Sequence, residues 1–159
     1  MIEVEVLVEA RQWKKNLNKL KKIIFHIVKK FPKQFIFVNK KVYISVLLTN
    51  NKKIQLLNKK FRKKNKPTDI LSFPSFNKKK LKQIIKNKNI YLGDIAISYE
   101  EFYKKNKNDF INGFIKIFIH GFLHLLSFDH KLNKDYKVMS RIEKKIFKKI
   151  DESFDHKKK

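Results

Sequence analysis

His120-Gly121-Phe122-Leu123-His124-Leu125-Leu126-Ser127-Phe128-Asp129-His130 carries three of the five histidines in a chain of 159 residues. His120 and His124 are four residues apart. On a helix of about 3.6 residues per turn that spacing puts both imidazoles on one face, one turn apart. His130 can join them only if the helix ends near Ser127 and the chain turns back. Any one of these histidines alone would read as a hydrogen-bonded core residue. Three together read as a metal site of three neutral nitrogens with an open fourth position, the donor set of a catalytic zinc. Zinc in such a site brings the pKa of water down to about 7. Asp129 reads in two ways, as the acceptor that orients one ligand or as a turn residue. His26 and His156 have no such neighbours and read as structural or solvated.

The spacing H-x3-H-x5-H is that of the metzincin zinc motif, with two departures. Gly121 stands where those peptidases carry a general-base Glu, so a peptidase mechanism lacks its base. Ser127 stands where a Gly would make the turn. A left-handed residue there is easy for Gly and costs about 1–2 kcal/mol for Ser.

Outward from this run, 99–150 reads as helical with one break near 127–130. Upstream, Ile2, Val4, Val6 and Val8 alternate with Glu3 and Glu5, a period-two strand with one buried face. Trp13, Leu17, Leu20, Ile24 and Ile27 recur at helical spacing up to Phe31-Pro32. Val42–Leu48 is β-branched and apolar, an inner strand. Ile54, Leu57, Asn58 and Phe61 predict a short helix that runs into a cationic stretch. Ile70–Phe73 predicts a short strand closed by Pro74, and Ile90–Ser98 another. The Lys/Asn-rich segment 77–89 reads as a loop. Strands that precede and interleave with helices, with no repeat and no Pro/Gly/Ser linker, make α+β the simplest class. The expected organisation is a single domain over 1–154 with a frayed basic tail at 155–159. Ile111–Phe128 is apolar enough to suggest a membrane span. It contains Lys116, Asn112 and two His, and it is near the lower limit of about 17 residues, so it reads as a core helix.

Composition bounds the function. Forty Lys plus Arg against 14 Asp plus Glu give a formal charge of +26, which should attract polyanions, RNA or DNA first. Only Arg11, Arg62 and Arg141 are Arg. Lys, Asn, Ile and Phe are abundant, as AT-rich codons would make them, so part of the charge reads as compositional drift. The absence of Cys excludes a disulfide scaffold, a thiolate metal site and a Cys nucleophile, and fits a cytoplasmic location. Residues 1–10 lack the basic start and apolar block of a signal peptide.

The segment from Asn58 to Pro74 joins a cationic block to a rigid strand. Lys59, Lys60, Lys63, Lys64 and Lys66 singly read as surface cations. Together they could hold an RNA backbone by its phosphates. Arg62 is retained where drift favours Lys, and a guanidinium can grip two phosphate oxygens at once. Asp69 reads equally as a strand-end cap or a partner in a cleft. Phe61 and Phe73 read as core residues first and as base-stacking groups second.

The histidine run resembles the H-G-x-L-H-L-x-G-[FY]-D-H signature of the YbeY family, bacterial endoribonucleases of rRNA maturation. Arg62–Pro74 resembles that family's R-x-x-[DN]-x-x-T-D-V-L-S-F-P segment. Leu92-Gly93-Asp94-Ile95-Ala96-Ile97-Ser98 resembles its L-G-D-I-x-I-S strand. The three matches occur in the family's order over about 58–130, with Ser127 and Asn65 as departures. The resemblance implies a small α+β fold with a central mixed four-stranded sheet and a zincin-like histidine helix. It implies one Zn²⁺ on His120, His124 and His130, and Arg62 as a catalytic residue. It further implies action on single-stranded RNA, at the 3′ end of the small-subunit rRNA and in ribosome quality control. The expected reaction is phosphodiester hydrolysis in which zinc and Arg62 share the transition-state charge. Two rival readings remain: a non-catalytic rRNA-binding protein with a structural metal, and a zinc peptidase.

Overall fold

The computed structural model describes residues 2–31, 40–77, 79–80, 87–129 and 133–155. His130, His156 and most of the predicted 77–89 loop lie outside the described residues. So do residues 156–159 of the predicted tail.

The first strand, β1 (Ile2–Val8), shows the expected alternation: Ile2, Val4, Val6 and Val8 turn inward, while Glu3, Glu5 and Leu7 are exposed. β2 (Lys41–Thr49) lies parallel to β1, pairing Ile2 with Val42 and Val8 with Leu48. β3 (Ile70–Pro74) and β4 (Asn89–Ser98) complete a mixed sheet in the order β1-β2-β4-β3. β4 is parallel to β2 and antiparallel to β3. Pro74 is tolerated because β3 is an edge strand, where a missing N–H leaves no ladder bond unmade.

The two faces of the sheet are covered differently. One face is occupied by α1 (Leu17–Lys30), α4 (Phe110–Leu125) and α5 (Asn133–Asp155), which enclose the main core with Val42, Ile44, Val46, Leu48, Ile95 and Ile97. On the other face α2 (Asn51–Arg62) packs Ile54 and Leu57 on Leu71, Ala96, Leu47 and Phe73. α3 (Tyr99–Asn106) follows β4 directly. These five helices and one sheet form a single α+β domain, as the residue pattern predicts. No helix among the described residues is long and apolar enough to cross a membrane.

Two expectations are corrected. Trp13 does not begin α1 but sits in a 3-10 turn (Arg11–Asn16) ahead of it. There its ring is fully buried against Phe102, and its Nε1–H donates to the Thr49 carbonyl at 3.0 Å. The helical half also has a second break, at 107–109. Asn106 turns its side-chain amide back onto the Phe102 carbonyl, and its own carbonyl accepts from Asp109 N–H. Asn and Asp favour such local bonds over helix continuation.

β4 carries a register shift, so that Tyr43 faces Tyr91 while Ile44 faces Gly93. Gly93 has φ +133, and a Cβ there would run into the Phe73 carbonyl of β3. The edge strand therefore lies against bare backbone at this point. Gly93→Ala is expected to cost at least about 2 kcal/mol of stability, through positive-φ backbone strain plus the clash. A urea-denaturation midpoint equal to that of the parent would contradict this approach of β3 to β4.

Candidate active site

α4 places both histidines by seating its Gly121 on the sheet. A Cβ at Gly121 would stand 2.7 Å from Ile70 Cδ1, 3.1 Å from Ser72 Oγ and 3.3 Å from Ile95 Cγ2. Ser72 Oγ–H donates to the Gly121 carbonyl at 3.2 Å, a buried bond that locks the contact. The position that carries the general base in peptidases is thus turned against β3 and β4, with no room for a side chain. The peptidase reading loses its base for a steric reason as well as a chemical one.

His120 and His124 are half-buried, and their Nε2 atoms are 3.1 Å apart. His120 Nδ1 lies 2.7 Å from Glu143 Oε1 of α5, and His124 Nδ1 lies 2.9 Å from the Phe128 carbonyl. Both of those partners are acceptors, so each Nδ1 carries the proton and each Nε2 presents a lone pair. Two lone pairs facing each other at this distance repel unless a proton or a cation lies between them. Two nitrogens on one tetrahedral zinc, each bonded at about 2.0–2.1 Å, stand about 3.3 Å apart. The donor set and its spacing therefore suit one cation. Among the described residues no third ligand-type side chain joins the pair; His130 lies outside them.

The chain beyond α4 turns as the pair requires. Ser127 N–H donates to His124 O, Phe128 N–H donates to Leu123 O, and Ser127 has φ 63. This is a left-handed helix C-terminus of the kind a Gly usually makes. Ser127 is held in it by a bond from its Oγ to the Phe76 carbonyl at 3.1 Å. The turn brings the Phe128 carbonyl back onto His124. Asp129 is exposed and adjoins His130.

Glu143 is the functional residue that sequence reasoning missed. It lies 23 positions from His120 in a Lys-rich helix, and no local spacing ties the two together. Its sign does not single it out either, because Asp135, Asp151, Glu152 and Asp155 lie in the same helix.

Arg62 is exposed at the last turn of α2, on the face of the sheet opposite α4. It borders a groove of about 780 Å³ floored by Leu47, Leu57, Phe73 and Ala96. His120 borders a different cavity, of about 570 Å³, between α4, α5 and Asp69. The two share no lining residue, and β3 runs between them. Lys59 and Lys60 lie on the last turn of α2, Lys63 caps it with φ 59, and Lys64 and Lys66 follow; all five are exposed. Phe61 is 56% exposed and tilts against Phe73, with centroids 5.0 Å apart, so it is a groove residue and not core. Asp69 caps β3 through Ile70 N–H and pairs with Lys105 at 2.8 Å. At the far end of the same face, burial and a hydrogen bond to Asp94 raise the Tyr91 hydroxyl above its ordinary pKa, so it stays a donor.

An α+β domain whose core helix presents a His-x3-His pair beside its edge strand is the class these features define. The model of the family described as endoribonuclease YbeY matches residues 7–151. Among similar proteins, the endoribonuclease YbeY of Pelagibacter ubique (strain HTCC1062) is 49% identical over 152 residues, covering 93% of this chain and 95% of that one. The endoribonuclease YbeY of Ehrlichia canis (strain Jake) is 36% identical over 152 residues, covering 92% of each. A Thermotoga maritima protein solved in solution superposes with a TM-score of 0.59 at 27% identity, over 98% of this chain and 93% of the other. The chain belongs to the endoribonuclease YbeY family.

The turn at Ser127 gives a paired test. Ser127→Gly relieves about 1–2 kcal/mol of left-handed cost and loses a hydrogen bond worth about 1 kcal/mol, so stability should stay within about 1 kcal/mol of the parent. Ser127→Ala keeps the strain and loses the bond, and should be less stable than Ser127→Gly by about 1–2 kcal/mol. Equal denaturation midpoints for the two variants would contradict the left-handed turn.

Proposed function

We propose that this protein is a zinc-dependent endoribonuclease of the cytoplasm. In this reading it cuts single-stranded RNA, matures the 3′ end of the small-subunit rRNA on the ribosomal small subunit, and takes part in ribosome quality control. Family membership supports the nuclease activity and the rRNA substrate. The observation that carries the metal dependence is the facing pair of Nε2 atoms, 3.1 Å apart, with both Nδ1 atoms anchored.

His120, His124 and His130 would hold the ion. Glu143 and the Phe128 carbonyl fix the tautomer and rotation of the first two, which is the usual work of acceptors behind metal-bound imidazoles. A zinc ion held there would supply Lewis acidity and lower the pKa of a water for attack on phosphorus. Arg62 is the proposed catalytic partner: its guanidinium forks onto two phosphate oxygens and holds their charge. An RNA strand that crosses the open edge of β3 meets Arg62 on one side and the histidines on the other. Lys59, Lys60, Lys63, Lys64 and Lys66 line the Arg62 side and grip the backbone without reading sequence. Phe61 and Phe73 offer ring surface to unstacked bases there.

Cleavage of a single-stranded rRNA fragment tests this directly. The parent should cut it, and a chelator should stop it. His124→Ala should lose both bound zinc and cleavage, while Arg62→Ala should keep zinc and lose cleavage by about tenfold or more, the scale of one hydrogen-bonded contact to a charged group on the strand. If both variants cut like the parent, the assignment is wrong. Glu143→Ala should weaken zinc binding by about 10–100-fold, measured by competition with a chromogenic chelator. Unchanged affinity would mean that the carboxylate does not orient His120.

A further inference from the structure

The cavity beside His120 has a chemistry that the metal site does not account for. α4 lines it with Gly113, Lys116, Ile117 and His120, at spacings of three, four and seven residues, and α5 answers with Ser140, Glu143, Lys144 and Phe147 at the same spacings. Two matching helical stripes thus face each other in antiparallel order, His120 meeting Glu143 at one end and Lys116 meeting Phe147 at the other. The floor is carbon, from Ile70, Ile117 and Phe147. The rim is cationic. Its two carboxylates are already engaged, Asp69 by Lys105 at 2.8 Å and Glu143 by His120 at 2.7 Å. Among the described residues neither Lys116 nor Lys144 has a carboxylate within ion-pair distance. Lys116 Nζ of α4 sits over the Phe147 ring of α5, 4.9 Å from its centre, so a cation and an aromatic ring meet across the cavity.

An apolar floor with two uncompensated ammonium groups suits a ligand with a flat apolar face and an adjacent anion. A nucleotide is such a ligand, and about 570 Å³ is within the range of cavities that hold small ligands. His120 closes one end, so a nucleotide seated here directly neighbours the bond presented to the histidines. We propose that this cavity is a nucleotide subsite of the RNA strand. Lys116 and Lys144 are positioning residues that hold its phosphate, and Ile117 and Phe147 are the surface on which its base lies. This rests on the endoribonuclease reading for its place in the reaction. The site itself makes a claim that binding alone can test.

The probe is 5′-AMP, which has a base and a phosphate but no phosphodiester to cut. Binding is read by NMR titration of the zinc-loaded protein. The variant carrying Lys116→Gln and Lys144→Gln keeps the side-chain stems and should weaken 5′-AMP binding at least tenfold. Lys116→Arg with Lys144→Arg should restore it. The same charge change on α1, Lys21→Gln with Lys22→Gln, should alter it less than twofold. With single-stranded RNA, the Gln pair at 116 and 144 should raise KM about tenfold and leave kcat within about twofold. Its log affinity should also depend less steeply on log salt, by about 0.7 for each phosphate no longer neutralised. Failure of the parent to bind 5′-AMP, or a Gln pair at 116 and 144 that binds like the α1 control, overturns the subsite even if RNA is cut normally. Binding that depends on these lysines in a protein that cuts no RNA would support the subsite and sink the nuclease reading instead.

Discussion

The contact between Gly121 and the edge of the sheet sets everything around it. An α-helix that packs this closely on the side chains of Ile70, Ser72 and Ile95 favours a residue without a side chain, and Ser72 then bonds the exposed carbonyl. That single seat fixes the depth and rotation of α4. With the rotation fixed, His120 looks toward α5 and Glu143, and His124 looks toward the returning chain at Phe128. The glycine that removes a peptidase's base is the same glycine that positions the imidazoles. Its presence is a packing requirement first and a statement about chemistry second.

Around that seat the molecule divides its charge. The engaged carboxylates, Glu143 and Asp69, sit beside His120, whereas the lysines around them stay at the rim. On the opposite face Arg62 and Lys53, with Glu9 and Asp94, border a groove floored by carbon, and the lysines of the α2 terminus lie beyond Arg62. Both sides therefore offer a carbon floor with charged groups at its border, with only the edge strand β3 between them. A flexible anionic chain with exposed bases matches that alternation better than a rigid duplex, whose bases are already stacked away.

Much of this was legible in the residue pattern, for identifiable reasons. β1 follows from its alternation, broken only at Leu7, β2 from its β-branched apolar run, and α4 from its apolar run and paired histidines. The left-handed turn at Ser127 follows from the need to bring the chain back after His124. The unreadable parts are those set by distant partners. Trp13 leaves the α1 helix because Thr49 and Phe102 define its pocket from elsewhere in the chain. The break at 107–109 depends on side-chain bonds of Asn106 that a helical hydropathy pattern does not register. Glu143 was invisible because its partner lies across a helix interface. Arg62 was recognisable as unusual among lysines, but its side of the sheet depends on which face α2 covers, and periodicity in α2 alone does not say.

The central claim is that three imidazoles share one zinc with a position left open. Zinc X-ray absorption on the purified protein counts those ligands directly. The account predicts three imidazole nitrogens at about 2.0–2.1 Å and one further light-atom scatterer without an imidazole signature. A spectrum with four imidazole or carboxylate ligands from the protein, or a protein that retains no zinc, would contradict it.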